Sequence, residues 1–217
     1  MPLQLPAICL ITRARGTALS AERAALLGRL ASAARAGATM VQVRERQFDD
    51  RQLLEFLEQV IAAVRPAGGL IMVNDRTDLA LAARADGVHL KSDAPPAEAV
   101  RRIVPGGFIV GRSVHSDEEA AAAESGACDY LLFGTVFRSA SKPDDHPVAG
   151  LEALGRICRR ASVPVLAIGG ITVDRATEVA EQGAGGAAAI SLFADAADVG
   201  ATVHALRDAL TLRSRRV

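Results

Sequence analysis

The sequence predicts an α/β fold, a single (β/α)8 TIM barrel over residues 1–217, and two observations carry that prediction. Short, nearly all-apolar runs alternate with longer segments rich in Ala, Leu, Arg and Glu. Such runs suit strands buried on both faces, as in a parallel sheet covered by helices. The length, 217 residues, is that of one α/β barrel domain. The same pattern wound as an open, doubly wound sheet is the alternative architecture.

Taken in order, the predicted strands are 7–11 (Ala-Ile-Cys-Leu-Ile), 39–44, 70–73, 87–90, 108–111, 130–133, 163–168 and 186–190. Between them the predicted helices are 20–36, 50–65, 116–125, 150–160, 172–182 and 196–212. Ser116-Asp117-Glu118-Glu119 reads as a capping box opening one of these. Gly-Ala pairs at 37–38, 126–127 and 183–184 fall where a helix stops and a strand begins, the place for a glycine C-cap. Residues 138–147 lack periodicity and are too short for a linker, so they read as a mobile loop after the sixth strand.

Composition narrows the function classes. Hydrophobic residues make up 50% and charged residues 23%, which supports a large core and argues against disorder. Formal net charge is zero and aromatics are 3%, so neither a nucleic-acid surface nor a base-stacking platform is expected. The three cysteines, Cys9, Cys128 and Cys158, sit in apolar contexts and read as buried reduced thiols. Residues 1–6 carry no leader pattern, and no run approaches a membrane span. A cytoplasmic protein with no membrane partner is the expectation.

In a barrel, chemistry gathers at the C-terminal ends of the strands. The second strand delivers Gln42, Arg44 and Arg46, alternate positions that face the interior and suit an anion, with Glu45 expected outside. The third delivers Asn74 and Asp75; Asp75 suits a metal, a polar ligand group or a helix cap. The fourth delivers His89, read as a core group, then Lys91, Ser92 and Asp93. The fifth delivers Ser113 and, just beyond its end, His115, a group able to take and return a proton. The sixth delivers Thr135 and the Ser139, Ser141, Lys142 loop, two hydroxyls and an ammonium suited to a phosphate. The last two end in Gly169-Gly170 and Ile190-Ser191, turns whose free N–H groups predict a phosphate cradle. His146 and His204 read as solvated.

Six segments in this order resemble the thiamine phosphate synthase/TenI family: 42–46 (Gln-Val-Arg-Glu-Arg), 73–75 (Val-Asn-Asp), 85–90 (Ala-Asp-Gly-Val-His-Leu), 111–115 (Gly-Arg-Ser-Val-His), 133–137 (Phe-Gly-Thr-Val-Phe) and 167–171 (Ala-Ile-Gly-Gly-Ile). The resemblance implies a TIM barrel, a homodimer, and a small phosphorylated thiazole as ligand. It further implies diphosphate binding by Gln42 and Arg44, with Arg46 where lysine is usual. Ser139, Ser141 and Lys142 would grip phosphate. Asp75 would be one Mg2+ ligand. The second metal aspartate falls on Ala94 without a gap, and on Asp93 only with a one-residue deletion.

That departure, and a 111–116 segment close to the TenI version, make a thiazole tautomerase the first expectation. His115 would shuttle the proton, Arg44 and Arg46 would hold the substrate carboxylate, and no cofactor would be needed. The alternatives are a thiamine phosphate synthase using Mg2+ at Asp75 and Asp93, and a non-catalytic TenI-like regulator.

Overall fold

The computed structural model describes residues 3–13, 20–124, 127–139, 143 and 145–211. Eight parallel strands close on themselves in sequence order: β1 (Ala7–Ile11), β2 (Met40–Val43), β3 (Leu70–Asn74), β4 (Gly87–Leu90), β5 (Ile109–Val114), β6 (Tyr130–Phe133), β7 (Val165–Ile168) and β8 (Gly186–Ala189). The seam pairs Ala7 with Gly186 and Leu10 with Ala189. The closed barrel, not the open sheet, is the architecture.

Outside run α1 (Ser20–Arg35), α2 (Asp50–Val64), α3 (Thr77–Ala82), α4 (Ala97–Arg101), α5 (Asp117–Glu124), α6 (Gly150–Arg160), α7 (Val173–Glu181), α8 (Ser191–Ala194) and α9 (Val199–Thr211). None is long and apolar enough to cross a membrane. Asp49 starts α2 by a reciprocal cap: its side chain accepts from the Gln52 N–H (2.8 Å), and Gln52 accepts from the Asp49 N–H (3.1 Å).

Strand alternation produces two cores. Outward residues such as Val41, Val43, Val73, Val88 and Val110 pack under the helices. Inward residues Cys9, Met40, Met72, Ile109, Tyr130, Leu166 and Ala188 fill the lower barrel. Higher up, the inward positions become polar: Gln42, Asn74, His89 and Ser113. Side chains just before three even-numbered strands close the barrel's lower edge. Thr39 accepts from the Ile8 N–H (3.1 Å), Asp86 from Ile71 (2.8 Å) and Asp129 from Val110 (2.7 Å). Each satisfies a strand N–H at the end of the ladder.

Four expectations are corrected. β5 runs on through Ser113 and Val114, beyond the predicted end at 111, because the polar residues Arg112 and Ser113 interrupt the apolar run without breaking the ladder. The short helices α3, α4 and α8 were not predicted, having too few turns to show a period. Glu45 is buried, 6% exposed, because β2 ends at Val43 and its alternation stops there. Cys158 is half-buried; Cys9 and Cys128 are buried, and burial pushes their thiols up to about 12 and about 11.

Candidate active site

A cavity of about 410 Å³ opens at the C-terminal ends of the strands. Its floor is a hydrogen-bonded column. Tyr130 and Gly111 are register partners, and a Cβ on Gly111 would sit 2.1 Å from the Tyr130 ring. The missing side chain leaves room for that ring in the lumen. His89 stacks beside it, Nδ1 2.9 Å from the Tyr130 hydroxyl and Nε2 2.8 Å from Ser113 Oγ. Burial, then Arg112, pushes His89 down to about 3, so its imidazole is neutral at physiological pH.

A polar chain of fixed direction runs from Asp75, behind the wall, to Asn74 and Gln42, which line the cavity. Asp75 is a carboxylate and only accepts; Asn74 Nδ2 donates to its Oδ2 (2.9 Å). Asn74 therefore turns its carbonyl oxygen to Gln42, whose Nε2 donates to it (3.0 Å). That leaves Gln42 Oε1 as a buried acceptor with no partner among the described residues. Leaving such an atom unpaired costs about 1–3 kcal/mol, so a ligand N–H is its natural partner.

Arg44 and Arg46 follow on the same wall. Arg44 is half-buried, its backbone N–H held by Thr12 Oγ1 (3.0 Å), while Arg46 stands exposed at the mouth. Burial of the guanidinium, then the charge of Arg46, lowers the Arg44 value from its ordinary level. Two cations this close favour an anion between them.

Asp75 is set in place from the fourth strand. Its Oδ1 accepts the Lys91 backbone N–H (2.8 Å), and the Lys91 ammonium lies 3.3 Å from its Oδ2 and 3.6 Å from Asp93 Oδ1. Asp93 lines the cavity, whereas Asp75 lies behind Asn74 and is not among the lining residues; Ala94 packs partly against the core, and its carbonyl accepts from Arg112 (2.9 Å). Among the described residues no three His, Cys, Asp or Glu side chains gather in a metal-binding group. The carboxylate pair still suits a hard dication that keeps waters and takes substrate phosphate oxygens. The Lys91 ammonium already stands there as an internal cation.

Opposite lies the predicted phosphate cradle. Gly169 (φ 99°) and Gly170 (φ 63°) are left-handed, and a Cβ on either would meet Thr135 at 2.5 Å or the Arg138 carbonyl at 2.4 Å. Arg175 holds the turn, donating to the Gly170 carbonyl (2.8 Å) while lying 4.9 Å over the Phe137 ring. Ile190 and Ser191 open the short α8, the extra helix that often binds phosphate in such barrels. Arg29 reaches from α1 to the other end of α8, donating to the carbonyls of Phe193 (2.5 Å), Ala194 (3.2 Å) and Ala196 (2.8 Å).

His115 stands at the rim. Its ring Nδ1 lies 2.5 Å from the Gly134 carbonyl, which makes Nδ1 the donor and leaves Nε2 free to accept. The predicted cap before α5 is half present: Ser116 Oγ accepts from the Glu119 N–H (3.2 Å), while the reciprocal bond falls one residue early, Glu119 accepting from the His115 N–H (2.8 Å). His146 is half-buried rather than solvated, its Nε2 3.2 Å from Thr135 Oγ1. Thr135 and Ser139 line the cavity; Ser141 and Lys142 lie outside the described residues. Sequence reasoning placed most of the wall but missed Tyr130 as the support of His89. The signal was Gly111 in a strand, a place where another group comes close.

A family model described as thiamine monophosphate synthase matches residues 8–193. The chain is 42% identical over 182 residues to the thiamine-phosphate synthase of Methanoculleus marisnigri, covering 84% of this chain and 85% of that one. It is 42% identical over 170 residues to the thiamine-phosphate synthase of Methanocella arvoryzae, with 78% and 80% covered. A solved thiamine phosphate pyrophosphorylase from Pyrococcus furiosus superposes with a TM-score of 0.82 at 35% identity, covering 95% of this chain and 96% of that one. These names correct the expectation of a thiazole tautomerase: relatives about 42% identical over most of the chain are synthases.

Proposed function

The chain belongs to the thiamine monophosphate synthase family, and we propose that it joins hydroxymethylpyrimidine diphosphate to hydroxyethylthiazole phosphate, releasing diphosphate. The observation that carries this reading is one cavity with two anion-binding ends. Arg44, Arg46 and Lys91 lie on one side; Gly169, Gly170 and Ser191 lie on the other. Two substrates, each anchored by its phosphate end, would meet between them, and holding both in place is itself a large part of such a catalyst.

The thiazole nitrogen lone pair forms the new C–N bond at the pyrimidine methylene, and the C–O bond to diphosphate breaks. No proton moves in that step. His115 would therefore have no base to supply, and its firm bond to the Gly134 carbonyl suits a wall residue. The burden falls on charge: Arg44, Arg46 and the Ser113 hydroxyl would stabilise the departing diphosphate in a partly water-excluded site. Gln42 Oε1 would accept an N–H from the pyrimidine's amino group. Asp75 and Asp93 would hold Mg2+, which supplies further neutralisation of the leaving group. Ser139, Ser141 and Lys142 complete the proposed phosphate grip, and the working unit is proposed to be a homodimer.

The test is direct. Purified protein is given both substrates and Mg2+, and thiamine phosphate is followed. Turnover that Asp75→Ala and EDTA both abolish supports the reading; no turnover with intact, folded protein rejects it.

A further inference from the structure

Lys91 touches Asp75 twice, through its backbone N–H and through its ammonium, and the same ammonium reaches Asp93. Of the other cations on this side, Arg76 pairs with Asp50 and Asp78, and Arg44 acts on Asp75 through charge without an ion pair to it among the described residues. Lys91 is the cation that the described ion pairs place against both carboxylates. It is tethered, so it is always present; it is also 46% exposed, so its long side chain is free to swing away.

We propose, building on the synthase reading, that Lys91 is a resident counter-ion that makes divalent metal loading depend on diphosphate. In the free protein the ammonium neutralises Asp75 and Asp93, and an entering dication must displace it against like-charge repulsion. Diphosphate reverses that balance twice over. It brings oxygen ligands that complete the metal's shell, and it offers the displaced ammonium a new anion. Metal and diphosphate therefore bind cooperatively, each tightening the other by the same factor. A small or apolar residue at this position would remove the competitor and weaken the coupling.

The experiment measures Mn2+ binding by electron paramagnetic resonance on whole protein, with and without inorganic diphosphate. The proteins are wild type, Lys91→Met and Lys91→Ala, with thermal melts confirming that each is folded. Without diphosphate, both variants should bind Mn2+ on the order of tenfold tighter than wild type. With diphosphate the gap should close, and Asp75→Asn in the Lys91→Met background should erase the gain. Equal Mn2+ affinity in wild type and both variants, or no Mn2+ binding by any, overturns the proposal. Turnover is read separately. A wild type that makes thiamine phosphate while the variants show no Mn2+ gain rejects the role of Lys91 alone. An Mn2+ gain without turnover rejects the synthase reading alone.

Discussion

His89 Nε2 lies 2.8 Å from Ser113 Oγ, and this contact sets which way the serine proton points. The other imidazole nitrogen faces the Tyr130 hydroxyl, which is fully buried. If Nδ1 carried the proton, the tyrosine O–H would have no acceptor among the described residues. Tyrosine therefore donates to Nδ1, Nε2–H donates to Ser113, and the serine proton is left for the cavity. A buried column thus turns a hydroxyl of either polarity into a committed donor for an anion.

Removing that donor should be costly to catalysis. Ser113→Ala is expected to lower kcat/KM for the diphosphate substrate by about tenfold or more, the worth of one hydrogen bond to a charged group. Tyr130→Phe leaves the serine in place but frees the imidazole to change tautomer. It should lower kcat/KM by a smaller factor and cost about 1–3 kcal/mol of stability through an unpaired buried nitrogen. Steady-state kinetics and urea unfolding read both effects. Wild-type kinetics in Ser113→Ala would refute the donor assignment.

The same histidine predicts an acid limb in stability. Folded His89 takes a proton only near pH 3, whereas an unfolded histidine takes one near pH ~6.5. Below pH ~6.5 the unfolded chain binds the extra proton, so the stabilisation is complete above that pH and is lost as pH falls toward 3. The expected slope approaches ~1.4 kcal/mol per pH unit. Asp50, Asp78 and Glu118 also sit below their ordinary values, but their losses begin lower, under pH ~4.5. Urea unfolding between pH 6.5 and 5 should therefore give a slope shallower by about one proton in His89→Gln than in wild type. Parallel slopes would remove His89 from the explanation.

Gly169 is predicted to be intolerant of a side chain. Its φ of 99° is left-handed, and a Cβ would sit 2.9 Å from the Thr135 Cα, which is backbone and cannot swing aside. Gly169→Ala should cost about 1–3 kcal/mol in stability and weaken thiazole phosphate binding, since the turn must shift. Calorimetric titration with the thiazole phosphate, alongside a thermal melt, checks both. Unchanged binding would mean that this turn does not carry the phosphate.

The barrel was legible in the sequence because strands buried on both faces leave apolar runs of the right length. β1, β4 and β6 match their predicted bounds for that reason. Where polar residues enter the lumen the signal fades: Arg112 and Ser113 hid the end of β5. Alternation placed Gln42 on the cavity wall; Arg44 and Arg46 line it too, but they lie beyond the end of β2 at Val43, where alternation no longer holds and Glu45 is buried instead of outside. The Gln42–Asn74–Asp75 chain depends on the register between β2 and β3, Gln42 opposite Met72, which no local pattern encodes. The choice of reaction rested on the aspartate missing at Ala94 and on the TenI-like 111–116 segment. The neighbouring Asp93 lines the cavity, which residue spacing alone does not show.

Arg29 should affect phosphate binding without touching phosphate. α8 spans only Ser191–Ala194, too short to hold its own direction by helix hydrogen bonds alone. The Arg29 guanidinium shares one nitrogen, Nη2, among three carbonyls at its C-terminal end, giving orphaned acceptors a common donor and complementing the helix dipole. In Arg29→Met those carbonyls lose their shared donor and the N-terminal end at Ser191 is no longer held toward the cradle. Phosphate anchoring is used equally before and during bond formation, so its loss is a loss of uniform binding. KM for the thiazole phosphate should rise by about tenfold with kcat nearly unchanged, since one misplaced anchor is worth on the order of 1.4 kcal/mol. A fall in kcat with KM unchanged would place Arg29 in the chemical step instead, and would separate α8 from the anchoring of the phosphate.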